Sequence, residues 1–123
     1  MQYLLLIYAN ENQLEGRSEA EQKKIFGEYM ELANGLRANG QYVGGNRLDL
    51  TSKATTVRLR EGKKLVTDGP FAETKEQLGG YFLVEASDLD EAIRLAGKIP
   101  AARWGSVEVR PIVPVPVPVP ATV

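Results

Sequence analysis

Acid, base and ammonium groups crowd one short stretch, residues 67–77 (TDGPFAETKEQ), where Asp68, Glu73, Lys75 and Glu76 lie within nine positions. Asp68 is a candidate general base or hydrogen-bond acceptor, Glu73 can share that role, and Lys75 can hold an anionic ligand. Gly69, Pro70, Phe71 and Thr74 complete the candidate ligand-binding set, and Asp68 is the best candidate for catalysis. A metal held by Asp68, Glu73 and Glu76 would have to be oxygen-liking, magnesium or calcium. Their spacing matches no metal loop, so no metal and no cofactor is expected.

A structural reading competes and takes precedence. Aspartate before a Gly-Pro step is expected to sit in a structural turn of the Asx kind. Gly69 precedes proline, which favours an extended backbone, and Phe71 would pack inward as an anchor. Gly79-Gly80 resembles no phosphate loop, lacking a following Lys-Ser/Thr, and suits a bulge or a tight approach of strands.

Composition narrows the chemistry further. The 123-residue chain contains no histidine and no cysteine. That removes the side chain that titrates near neutrality, thiolate nucleophiles, disulfides and Cys-based zinc sites. Apolar residues make up 43% and charged residues 25%, ordinary for a globular domain. The net charge of −1 provides no basic field for nucleic acid or an anionic membrane, so neither partner is expected. The N-terminal apolar run is too short for a signal peptide or a membrane span, and the expected location is cytoplasmic.

The positioning elements follow from periodicity. Residues 3–8 (YLLLIY) form a strand apolar on both faces, Leu4 and Leu6 opposite Leu5 and Ile7. Asn10-Glu11-Asn12 breaks it. Ser18 with Glu21 has the form of a capping box, opening a helix whose stripe is Ile25, Tyr29, Leu32 and Leu36, widened by Phe26 and Ala33. Asn39-Gly40 stops it. Residues 41–48 read as a strand weakened by Gly44-Gly45, near an edge or bulged. Residues 55–60 alternate Val57 and Leu59 against Arg58 and Arg60, then turn at Glu61-Gly62-Lys63 into a return strand at 64–67.

Residues 81–86 (YFLVEA) are a second strand apolar on both faces. Ser87-Asp88 caps a second helix with Asp90 or Glu91 as partner, a stripe of Leu89, Ala92, Ile93 and Ala96, and a stop at Pro100. Residues 106–112 alternate Val107 and Val109 against Glu108 and Arg110, whose side chain points either to solvent or into a cavity between copies. Trp104 and Tyr81 are expected to fill core. Residues 113–123 alternate valine and proline, a low-complexity extended tail beyond a single domain at 1–112.

The order β-α-β, hairpin, β-α-β predicts an α+β class, ferredoxin-like fold: βαββαβ with an inserted β-hairpin. Two helices cover one face of such a sheet. The bare face would expose apolar residues of both central strands, and a second copy is the simplest cover. A homodimer packed sheet to sheet, a dimeric α/β-barrel, is therefore expected.

The chain resembles the YCII-related family in its DGPF-domain branch. The resemblance rests on the YLLLIY strand, on TTVRLREGKKLVTDGPFAETKEQLGGYFLVEASDLDEA and on PAARWGSVEVRPI. It implies a ferredoxin-like fold dimerising through its sheets, a small bacterial protein without known activity, and a genetic association with sigma factors. The His–Asp pair proposed for the wider family has no histidine to occupy here, whereas Asp68-Gly69-Pro70-Phe71 carries over residue for residue. The leading expectation is a homodimer binding a small organic ligand near this loop, in a regulatory role. The alternatives are a cofactor-independent lyase, isomerase or hydrolase using Asp68, and an interaction module linked to sigma-factor transcription regulation.

Overall fold

The computed structural model describes residues 1–116. The elements run β1 (Gln2–Ala9), α1 (Glu11–Glu15), α2 (Glu19–Ala38), β2 (Tyr42–Arg47), β3 (Thr55–Arg60), β4 (Lys63–Asp68), β5 (Gln77–Glu85), α3 (Leu89–Ala96) and β6 (Ser106–Pro111). Two short 3-10 turns lie at Thr51–Lys53 and Pro100–Arg103.

Four strands form an antiparallel sheet in the order β2-β5-β1-β6, an α+β architecture compatible with the ferredoxin-like arrangement. The two strands without a wet face, β1 and β5, are the central pair, where both faces need cover. Tyr3, Leu5 and Ile7 on β1 and Phe82 and Val84 on β5 point to the helices and are buried. Tyr29 stacks on Phe82 at 6.3 Å between ring centroids, and Tyr42 meets the same ring edge-on at 6.2 Å. The opposite face carries Leu4, Leu6, Tyr8, Tyr81 and Leu83, all half-buried with no element above them among the described residues.

Helices α2 and α3 both start on side-chain caps. Ser18 Oγ accepts from the Glu21 N–H at 3.2 Å, and Asp88 Oδ1 accepts from the Glu91 N–H at 2.9 Å, while Glu91 returns a bond to the Ser87 N–H. Helix α2 ends at Asn39, with Gly40 at φ +71.

Several expected contacts are corrected. Phe26 flanks the α2 stripe about two turns before Ala33 and stays 65% exposed, leaving Ala33 and Leu36 as the buried anchors. Helix α3 buries Ala92, Leu95 and Ala96, with Ile99 beyond it, and turns Leu89 and Ile93 outward. Its sequence admits either stripe; the alanine-rich one lets the helix sit closer to the sheet. Gly97, not Pro100, caps its end. Asn10 does not merely break β1: its side chain accepts from the Asn12 N–H at 2.9 Å and opens α1.

The glycine pairs do what their positions suggested. The register of β2 on β5 shifts between Tyr42 and Gly44 at the sheet edge, and that of β1 on β5 shifts between Ile7 and Tyr8, opposite Gly79. A Cβ on Gly80 would lie 2.9 Å from the Asn46 carbonyl oxygen.

The inserted hairpin β3–β4 pairs only with itself and forms a separate two-stranded sheet. Glu61 (φ 52) and Gly62 (φ 75) form its two-residue turn, with Arg60 opposite Lys63. Val57 and Leu59 do share one face, as their alternation predicts, but that face is uncovered. Residues 113–116 leave β6 exposed, and the rest of the expected tail lies outside the described residues.

Gly105 is the most closely approached of the glycines, because a Cβ there would sit 2.1 Å from the Tyr8 carbonyl oxygen. Gly105→Ala should lower stability by about 2 kcal/mol or more through overpacking. Gly27, mid-helix with nothing near its missing Cβ, gives the control: Gly27→Ala should raise stability by about 0.5–1 kcal/mol. Urea denaturation of the two variants checks the sign of each change.

Candidate functional site

The segment between β4 and β5 is an irregular loop tied down at both ends. Gly69 takes φ +94, a conformation closed to L side chains, in place of the extended backbone expected before proline. Its N–H donates to the Ala54 carbonyl at 2.7 Å, and Thr56 Oγ1 donates to the Gly69 carbonyl at 2.9 Å. Glycine therefore makes the turn. Asp68 is exposed and among the described residues its carboxylate accepts no hydrogen bond; the expected Asx-turn does not form, because the residue two positions on is Pro70, which has no N–H to donate. Phe71 is 78% exposed rather than packed inward, because the loop turns at the base of an arm that has no core beneath it.

The distal end is anchored by polar side chains. Gln77 Nε2 donates to the Thr74 carbonyl at 2.6 Å, and Gln77 Oε1 accepts from the Glu11 N–H at 3.0 Å. The Glu11 carboxylate accepts from both the backbone N–H and the hydroxyl of Thr51, at 2.9 and 2.6 Å. Glu76 accepts from Ser106 Oγ at 2.8 Å, fixing the loop to the first residue of β6. This chain of contacts joins α1, the 3-10 turn at Thr51–Lys53, the loop and β6.

A cleft of about 320 Å³ opens between that 3-10 turn and the loop, at the small end of the range for ligand sites. Of the seven residues singled out in the sequence, Gly69, Pro70, Glu73 and Thr74 line it, together with Thr51 and Ser52. Asp68, Phe71 and Lys75 do not. Glu73 is the charged residue of the wall, so the cleft favours a neutral or cationic hydrogen-bonding guest over the anion that Lys75 would hold.

The open sheet face holds a second constellation that motif reading missed. Arg110 donates from Nε to Glu108 Oε2 at 3.1 Å and makes a close second bond from its terminal nitrogen, while Tyr8 Oη donates to Glu108 Oε1 at 3.3 Å. On the other flank Asn46 Nδ2 donates to Tyr81 Oη at 2.9 Å, so Tyr81 lies on this face rather than in the core. Leu4, Leu6 and Leu83 separate the two polar groups. The alternation of β6 was the available signal, since it puts Glu108 and Arg110 on the face of Leu6 and Leu4. The Arg110 guanidinium holds the Glu108 carboxyl below the usual range, while desolvation and then Glu108 push the Tyr8 phenol up.

A further cleft of about 320 Å³ lies beside Trp104, which packs at the core margin. Arg17 lies 4.0 Å from the ring centroid, and Arg103 forms a two-bond pair with Glu28, 2.8 Å each. That pairing lowers the Glu28 pKa. The buried indole N–H of Trp104 finds no acceptor among the described residues. Among the same residues no cluster of three or more carboxylates is placed to hold a metal, and no helix is long and apolar enough to cross a membrane.

The lowered Glu108 pKa gives a pH prediction. Its ionised form is favoured by the fold, so this contribution is present above the unfolded carboxylate pKa and is lost as pH falls through the lowered value. In Arg110→Met the Glu108 carboxyl should titrate at higher pH than in the parent protein, as followed by carbon-detected NMR. Unchanged titration would show that the ion pair does not persist in solution.

Comparison with known proteins adds a family to this geometry. A protein of Rhizobium meliloti (strain 1021), itself named only as uncharacterized, is 36% identical over 114 residues, covering 91% of this chain and 92% of its own length. The family model described as the YCII-related domain matches residues 1–116, all that the structure describes. The chain that carries this sheet, hairpin and loop belongs to the YCII-related family.

Proposed function

We propose that this YCII-related protein works in the cytoplasm as a homodimer, packed through its open sheet faces into a dimeric α/β-barrel. In this reading each copy holds a small organic ligand in the cleft beside the DGPF loop, in a sensing or regulatory role. The observation that carries the dimer is the row Leu83, Leu4 and Leu6 at the centre of an uncovered face. Burying such a row gains about 25 cal/mol per Å² of apolar surface, and the same face of a second copy offers a matching row. The polar flanks, Tyr81 with Asn46 and Tyr8 with Glu108 and Arg110, would then rim the interface rather than interrupt its centre.

The cleft supports a ligand role over a catalytic one. Its wall offers Ser52 and Glu73 as polar groups not engaged in the anchoring contacts, beside the apolar Pro70 and Ala72. Asp68, the candidate base, has no hydrogen-bond partner among the described residues to orient it and does not line the cleft. General-base catalysis needs an oriented carboxylate within reach of its proton.

The two halves of the proposal are tested separately. Light scattering after size exclusion should give twice the chain mass for the parent protein and the single-chain mass for Leu6→Arg. A parent protein that elutes as a monomer at all concentrations removes the dimer. For the cleft, a panel of small neutral and cationic amides and amines should shift the amide signals of Gly69, Ala72 and Thr74. Glu73→Ala should weaken the best binder about tenfold, the loss of one charge-assisted hydrogen bond. Shifts confined to Arg17 and Trp104 would relocate the site.

A further inference from the structure

Among the described residues, the hairpin arm packs as an element only on itself. Five of the six residues of β3 and all six of β4 are exposed, and the hydrogen bonds of Thr56 and Gly69 at its base stay within the arm. Val57, Leu59 and Val66 share one face at 56%, 67% and 59% exposure. An isolated two-stranded hairpin is only marginally stable in water, and strands become secure when an apolar face is covered. The arm thus presents three apolar side chains, flanked on the same face by Thr55, Lys64 and Asp68 and uncovered among the described residues, on a hairpin that needs support.

The size of the sheet face indicates what supplies it. At about 4.8 Å between strands and about 3.4 Å per residue, four strands paired over some six residues offer a face about 20 Å square. That is roughly 400 Å² per copy and roughly 800 Å² for a pair before corrugation, against about 1,200–2,000 Å² for a stable interface. Sheet packing alone falls short, and the arm is the uncovered apolar element available to extend it.

Charge selects the surface. The arm carries Arg58, Arg60, Lys63 and Lys64 against Glu61 and Asp68, whereas the whole chain is at −1, so the body outside the arm is acidic. Arm against arm would repel, and arm against the body of another copy attracts.

We propose that the β3–β4 arm clasps the body of a second copy, seating Val57, Leu59 and Val66 on it and completing the interface begun by the sheet faces. This rests on the homodimer proposed above. The arm shares its base with the DGPF loop, at Asp68, Gly69 and Ala54. Clasping by one copy therefore bears on the wall of its own ligand cleft.

The absence of cysteine allows one thiol to be placed at will. A nitroxide on Leu59→Cys, in unlabelled protein mixed with isotope-labelled parent, should broaden amide signals of the labelled partner's body. Val57→Asp with Leu59→Asp should raise the dimer dissociation constant at least tenfold, with unchanged helical circular dichroism because the arm supports no helix among the described residues of its own copy. Added salt should weaken the parent dimer further. A persistent dimer with no broadening and an unchanged dissociation constant overturns the clasp and leaves the sheet dimer standing. A parent monomer overturns both. An arm engaged only when another protein or a nucleic acid is added overturns the clasp in favour of that partner.

Discussion

A sheet has two faces, and this chain has helices for one of them. Burial on the helix side is concentrated in Leu5, Val84 and Ile99, the largest side chains removed almost wholly from water. They hold β1 and β5 side by side at the centre of the sheet and fix the register of everything attached to it. Because strand side chains alternate, the same two strands must send Leu4, Leu6 and Leu83 to the opposite face. The apolar cost left on that face is a direct consequence of the core on the other, and it is the reason to look for a second copy.

The same frame decides where polar chemistry can collect. Edge strands β2 and β6 flank the leucine row, so Asn46 meets Tyr81 on one side, while Glu108 and Arg110 meet Tyr8 on the other. Neither group involves the loop that first drew attention. The loop is instead organised from outside itself, through Glu11, Thr51, Gln77 and Ser106. Its cleft is a by-product of that bracing: two connections, one before the hairpin and one after it, are held apart by a short relay of hydrogen bonds.

The element order and the central strands were legible because periodicity is a local signal that the sheet merely executes. Ser18, Asn39-Gly40, Glu61-Gly62 and Asp88 also acted where their chemistry predicted. The misread burials share one cause. Phe26, Leu89, Ile93 and Phe71 are apolar residues whose burial depends on whether something lies beneath them, and a single chain's pattern does not state that. Helix α3 is the clearest case, since Leu89 with Ile93 and Leu95 with Ile99 are equally good stripes in sequence.

The sequence by itself determined the class of fold, the central strands, the absence of imidazole and thiol chemistry, and glycine at the turns. Those follow from residue type and short-range spacing. Tertiary structure alone decided that the hairpin stands free, that Asp68 and Lys75 stay out of the cleft while Glu73 enters it, and that Tyr8, Glu108 and Arg110 form one group. The last depends on strand register between residues up to a hundred positions apart. A shift of one residue in β6 would send Glu108 and Arg110 to the other face.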